Sequence, residues 1–286
     1  MTEGAAVGDG GFDPIDDVQG EPEGQGQPVP VAEATAVDTH CHLFLIDGEA
    51  GTVVEDARAA GVGRMICVGI DLPTSRRSLE LAESFRGVFA AAGVHPHKAS
   101  EFDRAAGAGI EELLGDPLVV GVGETGLDYY RKLSPVEDQR RAFRTHIALA
   151  REIDKPLVVH VREAWDDAMA ILAAERAERV VLHCFTGDRG LAEEATRRGY
   201  FLSFAGNVTY PGAGAIREAA AAAAEGHVVV ETDSPFLTPQ PIRGSANVPA
   251  NVFHTLGTVA EARGVTVPDM TARATRAAFA AFPLLR

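Results

Sequence analysis

Eight short apolar segments alternate with longer segments of helical character along most of the chain. They span residues 35–40, 64–69, 88–94, 118–124, 156–161, 179–184, 200–204 and 227–232. Near-continuous apolar strands separated by helices are typical of a parallel sheet that is covered on both faces. Eight such units in about 250 residues predict an α/β fold of the (β/α)8 TIM-barrel type.

The main alternative fold is a doubly wound open sheet, which normally carries a glycine-rich phosphate loop after its first strand. The residues DTHCHLF at that place contain no glycine, so the barrel is preferred. The helix after the fourth strand is predicted to begin with a capping box of Ser134 and Glu137, with Pro135 at its first position.

The N-terminal segment has a different composition from the rest of the chain. Residues 1–37 contain eight acidic residues and no Lys or Arg, and so carry −8 of the formal net charge of −15. Gly and Pro are dense there, and few apolar side chains are available to offset the entropy of ordering. We predict a disordered acidic tail over residues 1–33 and a single hydrolase barrel over residues 34–286.

Composition excludes several classes of protein. No apolar run approaches the ~18 residues that span a bilayer, and the N-terminus lacks the features of a signal peptide, which predicts a cytoplasmic protein without a membrane partner. Three cysteines without a CxxC pair indicate neither a disulfide framework nor a thiolate zinc site. The acidic balance argues against coating of long nucleic acids, which requires clustered Lys and Arg.

Histidines and carboxylates stand where five of the predicted strands end. On the first strand, alternation of side chains places His40 and His42 on one face and Cys41 on the other. The other four strand ends contribute Glu124, His160, His183 and Asp233. Because these ends meet at one face of a barrel, and because imidazoles and carboxylates bind divalent cations, the sequence predicts a metal site.

Six ligands exceed the needs of one tetrahedral ion. We therefore predict two divalent cations, Mg, Mn or Zn, ~3.5–4 Å apart, with Glu124 as the bridge. Such a pair lowers the pKa of a bound water toward 7, and the resulting hydroxide attacks a phosphoryl or carbonyl centre. Asp233 is predicted to be both a ligand and the proton acceptor, so Glu124 and Asp233 are the candidate catalytic residues.

Seven motifs occur along the chain in the order DTHCH, GVHPH, GETGLDYYR, HVREA, HCFTG, ETDSPFLTP and RGSANVP. Over roughly residues 36–286 the chain resembles the TatD family of metal-dependent deoxyribonucleases, within the amidohydrolase superfamily. The resemblance implies that the metal ligands are His40, His42, Glu124, His160, His183 and Asp233. It also implies that Glu124 takes the place of the carboxylated lysine of many related hydrolases.

Three further side chains are candidates for binding a substrate phosphate. His95 follows the third strand, and the family resemblance favours it over the neighbouring histidine. Arg162 lies at the end of the fifth strand and offers a two-pronged donor to phosphate oxygens, unless it forms a salt bridge with Glu163 or Glu124. Arg131 is a similar candidate on the loop after the fourth strand.

Other conspicuous side chains are weaker candidates. Tyr129, Tyr130 and Phe185 lie beside motif glycines and either stack a nucleobase or, more commonly at such places, pack the loops. His146 and His254 fall within predicted helices, and we assign both a structural role.

The resemblance implies a metal-dependent phosphodiesterase that acts on DNA, as a 3′-5′ exonuclease on single strands or ends. The alternative is a metal-dependent deacylase or amidohydrolase, such as a D-aminoacyl-tRNA deacylase, because the same nucleophile attacks a carbonyl. A third class is a catalytically silent metal-binding scaffold. The expected partner is DNA or another small phosphodiester or acyl substrate.

Overall fold

A computed structural model describes residues 35–285, and the tail predicted over residues 1–33 lies outside them. Eight parallel strands are hydrogen-bonded in chain order. The strands are β1 (Ala36–Cys41), β2 (Val62–Val68), β3 (Val88–Ala92), β4 (Val119–Asp128), β5 (Leu157–Arg162), β6 (Val180–Leu182), β7 (Phe201–Phe204) and β8 (Val228–Val230). Each of the eight apolar segments therefore contains or overlaps a strand.

The segment that follows β8 closes the sheet against β1. Cys41 forms a parallel bridge with Ser234. The backbone N–H of Asp233 donates to the carbonyl of His40 at 2.9 Å, and that of His42 donates to the carbonyl of Ser234 at 2.8 Å. The predicted (β/α)8 TIM barrel is confirmed, and its closure brings the first and last motifs of the chain together.

Within the described residues, one α-helix follows each strand and a ninth ends the fold. The helices are α1 (Ala50–Ala59), α2 (Leu72–Ser84), α3 (Arg104–Leu114), α4 (Val136–Glu152), α5 (Trp165–Ala174), α6 (Arg189–Arg197), α7 (Gly214–Ala222), α8 (Val252–Ala262) and α9 (Val267–Ala281). None of these helices has the length and apolar character needed to cross a bilayer.

The predicted capping box at the start of α4 is wrong. Pro135 is the N-cap residue, and no side chain caps the helix. The Ser134 hydroxyl instead donates to the carbonyl of His97 at 2.9 Å and accepts from the backbone N–H of Ser100 at 3.1 Å. It therefore ties the loop after β4 to the loop after β3.

The apolar core consists of two layers. The larger layer lies between the sheet and the helices. The smaller layer combines side chains from strands on opposite sides of the barrel, such as Val37 and Val158, with the end of α9 and Phe282. Side chains from opposite strands of a closed barrel meet only in its interior, so α9 and Phe282 seal one end with apolar groups. The polar side chains at the strand ends therefore lie at the other end of the barrel.

Candidate metal centre

All six predicted metal ligands meet at the carboxyl end of the barrel. His42, Glu124, His160, His183 and Asp233 line a cavity of about 670 Å³ there. His40 is fully buried beside them, against Glu124 and Asp233. The fold therefore brings together the six residues that were predicted from the strand ends.

Glu124 is the centre of the cluster. Its Oε1 atom lies 3.0 Å from Nδ1 of His160 and 3.4 Å from Nε2 of His183. Its Oε2 atom lies 3.4 Å from Nε2 of His40. Burial alone raises the pKa of the Glu124 carboxyl, but the surrounding imidazoles hold it well below its usual range. Two oxygens that face different histidines are the arrangement expected of a carboxylate that bridges two cations.

The second part of the cluster joins the ends of β1 and β8. The Nε2 atoms of His40 and His42 are 3.3 Å apart. Oδ1 of Asp233 lies 3.5 Å from Nε2 of His42 and 3.8 Å from that of His40. Burial would raise the pKa of Asp233, but the adjacent His42 and the other neighbouring imidazoles lower it. The carboxylate is therefore ionised at neutral pH.

The Nδ1 atoms of two of these histidines each lie against an acceptor oxygen. Nδ1 of His42 lies 2.8 Å from the carbonyl oxygen of Val68, which can only accept, so Nδ1 carries the proton. Nδ1 of His183 lies 2.7 Å from Oε1 of Glu231, off the ideal N–H direction but within strong electrostatic contact. In a neutral ring either contact leaves the Nε2 lone pair free and directed into the cluster.

The side chains of the cluster fit a divalent metal centre. Three groups bring one ligand atom from each member within 4.8 Å of the others. The groups are His40 with His183 and Asp233, His40 with His42 and Glu124, and His95 with Glu124 and His160. Imidazole nitrogens with free lone pairs beside ionised carboxylates are the donors that Zn, Mn and related cations prefer.

Two carboxylates that sequence reasoning did not assign support the histidines from behind. Oε1 of Glu231 contacts His183 and accepts from the backbone N–H of Cys184 at 2.8 Å, while Oε2 accepts from the hydroxyl of Ser203. Burial lowers the pKa of His183, but the negative charges of Glu231 and Glu124 prevail and raise it to about 10. The sequence does offer a signal for Glu231, because it is an acidic residue at the end of an apolar strand, two positions before Asp233.

Asp128, at the end of β4, has the same supporting role for two histidines. Its Oδ2 atom lies 2.8 Å from Nε2 of His97 and 3.4 Å from Nε2 of His160. Its Oδ1 atom accepts from the backbone N–H groups of Tyr130 and Arg131 at 3.0 and 2.7 Å. Burial raises the pKa of Asp128, but the nearby His160 imidazole and the hydrogen bonds from Arg131 and His97 bring it below its usual range.

His95 lines the cavity but differs from the other histidines in its tautomer. Its Nδ1 atom accepts from the backbone N–H of His97 at 3.0 Å. Burial holds the pKa of His95 well below its usual range, so the ring is neutral and its proton lies on Nε2. Nε2 lies 3.4 Å from Oε1 of Glu124. As a half-buried N–H donor at the cavity wall, His95 suits an anionic oxygen better than a cation.

Arg131 and Arg162 also line the cavity. The Arg162 guanidinium lies 4.0 Å from the centre of the Tyr130 ring. Among the described residues, neither arginine has a carboxylate partner within 4 Å, so the salt bridge of Arg162 with Glu163 or Glu124 that we considered is not formed. Both guanidinium groups remain free to bind an anion at the cavity mouth.

The other two aromatic candidates pack the loops. The Tyr129 hydroxyl donates to Asp167 at 2.6 Å, and Phe185 is fully buried against Trp165. His146 is likewise structural, because its Nδ1 donates to the Ala142 carbonyl at 2.7 Å and its Nε2 accepts from the backbone of Val94 at 3.0 Å.

A (β/α)8 barrel with clustered histidines and carboxylates at its carboxyl end defines the class of metal-dependent hydrolases. The family model described as TatD related DNase matches residues 37–283. The chain belongs to the TatD family and is an enzyme of the metal-dependent hydrolase class.

Several relatives are similar over most of their length. The uncharacterized metal-dependent hydrolase YabD of Bacillus subtilis is 38% identical over 82% of this chain and 93% of its own. The uncharacterized metal-dependent hydrolase TatD of Mycobacterium tuberculosis is 41% identical over 79% and 89%. The 3′-5′ ssDNA/RNA exonuclease TatD of Klebsiella pneumoniae is 37% identical over 74% and 83%.

Among solved structures, the TatD homologue YjjV of Escherichia coli superimposes with a TM-score of 0.82 at 26% identity. The superposition covers 88% of this chain and 99% of that one. This structural similarity agrees with the barrel that the strand pattern predicts.

Proposed function

We propose that this protein is a phosphodiesterase that removes nucleotides from the 3′ ends of DNA, on single strands or at frayed ends. The observation that carries the proposal is the arrangement of the cavity, in which anion donors surround a buried cluster of metal-binding side chains. A relative that is 37% identical has the name of a 3′-5′ ssDNA/RNA exonuclease, which supports a nucleic-acid substrate. The cytoplasm, predicted from the sequence, is the proposed compartment.

In this proposal two divalent cations, Mg, Mn or Zn, occupy the cluster. The residues that would hold them are His40, His42, Glu124, His160, His183 and Asp233, and Glu124 would serve both ions. When bound, the cations supply a water nucleophile at neutral pH and stabilise the charge that develops on phosphoryl oxygens.

Asp233 is the proposed proton acceptor. Its carboxylate is ionised for the reasons given above, and 13% of its side chain is exposed, so it can be reached from the cavity. Its backbone adopts a φ of +54°, and its carbonyl accepts from the N–H of Phe236 at 2.8 Å. The turn fixes the backbone at Asp233, and the side chain lines the cavity.

His95, Arg131 and Arg162 are the proposed phosphate contacts. The Nε2–H of His95 donates from the wall of the cavity, and the two guanidinium groups donate from its mouth. These donors lie at one cavity and not along an extended groove, so they suit one or two phosphates at a chain end. The acidic balance of the chain disfavours longer contacts with a duplex.

The test uses end-labelled single-stranded DNA, the same strand in a blunt duplex and a D-aminoacyl-tRNA, each with Mg, Mn or Zn and with chelator. We expect stepwise nucleotide release from the single strand that chelator and His40→Ala abolish. His254→Ala, which changes a histidine of α8 away from the cavity, is the matched control and should retain activity. Deacylation of the tRNA without nucleotide release would overturn the proposal in favour of the acyl alternative.

A further inference from the structure

Exposed apolar side chains are concentrated around the mouth of the metal-site cavity. Six large hydrophobic side chains of the described residues are exposed: Leu45, Tyr130, Leu133, Phe236, Val267 and Leu284. Three of them line the cavity, and a fourth, Tyr130, stacks on Arg162 at its mouth. Such a grouping indicates contact with an apolar part of a ligand.

Phe236 is the aromatic member of this group that lines the cavity itself. Its side chain is 51% exposed, and its ring centre lies 5.9 Å from that of His42, so it adjoins the metal-binding cluster. Both backbone polar groups of Phe236 are hydrogen-bonded. Its N–H donates to the carbonyl of Asp233, and its carbonyl accepts from the side chain of Asn247.

Asn247 makes this loop rigid. It is buried, its Nδ2 atom also donates to the carbonyl of Thr232 at 2.9 Å, and its Oδ1 atom accepts from Asn251 at 3.1 Å. A half-exposed aromatic ring on a backbone that is fixed in advance loses little entropy when a ligand stacks on it. Phe236 therefore has the properties of a preformed stacking surface.

The other side of the mouth has a different chemistry. Arg131 lies on the loop after β4 and Arg162 ends β5, and these two strands lie half a turn around the barrel from β8 and β1. The Arg162 guanidinium covers a face of Tyr130, so this aromatic ring serves to position a cation. One side of the mouth thus offers an apolar aromatic surface and the opposite side offers anion donors.

We propose that Phe236, which lines the cavity together with Leu45, is the stacking site for the unpaired base of the nucleotide at the substrate's 3′ end. This inference rests on the proposed nuclease function and specifies its substrate. A nucleotide has the aromatic face and the anionic phosphate that the two sides of the mouth require. A base within a duplex is stacked and paired, so the site selects ends whose last base is free.

The experiment compares two single-stranded oligothymidylates that differ only in the last nucleotide, which is a thymidine or an abasic residue. For the wild-type enzyme we expect kcat/KM to be at least about fivefold higher on the substrate that carries the base. Phe236→Ala should remove this preference by slowing cleavage of the base-carrying substrate alone. Phe236→Tyr should retain it, as should Leu284→Ala, which removes an exposed apolar side chain at the opposite end of the barrel.

Binding provides a second readout. An oligonucleotide that ends in 2-aminopurine, with a phosphorothioate in its last linkage to slow turnover, should lose fluorescence on binding to the wild type and much less on binding to Phe236→Ala.

The outcomes separate the two levels of the proposal. If the wild type cleaves both oligonucleotides equally, or if Phe236→Ala slows both by the same factor, the stacking site is overturned while the nuclease function stands. If the wild type cleaves neither oligonucleotide, the proposed function is overturned and the stacking site falls with it.

Discussion

Nδ1 of His183 lies 2.7 Å from Oε1 of Glu231, which is itself fully buried. A carboxylate behind a metal-binding imidazole fixes its orientation and raises its basicity, and its loss typically costs 10–100-fold in metal affinity. We therefore expect Glu231→Gln to weaken binding of Zn or Mn by about 10–100-fold, as measured by competition with a chromophoric chelator. Glu225→Gln, at an exposed glutamate, is the matched control. Equal affinities for the two variants would contradict the supporting role of Glu231.

Metal removal should abolish turnover. Elemental analysis of the active protein is expected to find two divalent ions per chain, since two of the three groups of ligand atoms share Glu124. His160→Ala should reduce the content to one ion, whereas His254→Ala should leave it unchanged. A single ion per fully active wild-type chain would refute the two-metal arrangement.

Asp233→Asn tests the proton acceptor. The amide keeps an oxygen for the metal but cannot take a proton at neutral pH. Loss of a general base typically costs 10²–10⁴-fold, so we expect kcat to fall by about that factor at unchanged metal content. Near-normal turnover with the metal bound would show that another group accepts the proton.

His146 should make stability depend on pH. Burial lowers the pKa of this imidazole from 6.5 to about 4 in the folded chain. The unfolded chain therefore binds the proton more tightly, and the contribution of His146 to stability is present above pH 6.5 and is lost as pH falls toward 4. Between pH 7.5 and pH 5 we expect the wild type to lose about 2 kcal/mol more free energy of unfolding than His146→Gln.

Urea denaturation of both proteins in chelator measures this difference. The metal-site histidines titrate in both proteins, so their contribution cancels in the comparison. Parallel pH profiles for the wild type and the variant would show that His146 is not the source.

Two glycines should respond to alanine in opposite directions. Gly126 in β4 has a φ of +132°, and a Cβ there would lie 2.1 Å from the carbonyl oxygen of His160. A Cβ on Gly257 in α8 would meet nothing within 4 Å apart from the backbone of its own helix. We expect Gly126→Ala to lower the free energy of unfolding by roughly 2 kcal/mol or more. Gly257→Ala should raise it by about 0.5–1 kcal/mol. Thermal or urea unfolding checks the signs, and the same sign for both would be contrary to this expectation.

The strand pattern and the strand-end residues were sufficient to predict the barrel and to select the six side chains that meet at one end of it. The physical reason is that the direction of each parallel strand determines which of its ends reaches the active-site face. Side-chain alternation along β1 then places His40 and His42 together. Strand direction and side-chain alternation both depend only on residues that are close in sequence. The amino-acid sequence alone is therefore sufficient to predict which side chains reach the active-site face.

Contacts between residues far apart in sequence were decided only by the tertiary structure. These contacts depend on the register between neighbouring strands and on the path of the loops. They are the contact of Glu231 with His183, that of Asp128 with His160, and the hydrogen bond from Ser134 to the carbonyl of His97. The tautomers of His42 and His95 depend on which backbone group lies beside each Nδ1 atom. The burial of Phe185 and the exposure of Phe236 follow from how the helices and loops pack around the closed sheet. Local periodicity determines on which face and at which end of its strand a side chain lies. Which distant residue it contacts is decided only when the barrel closes.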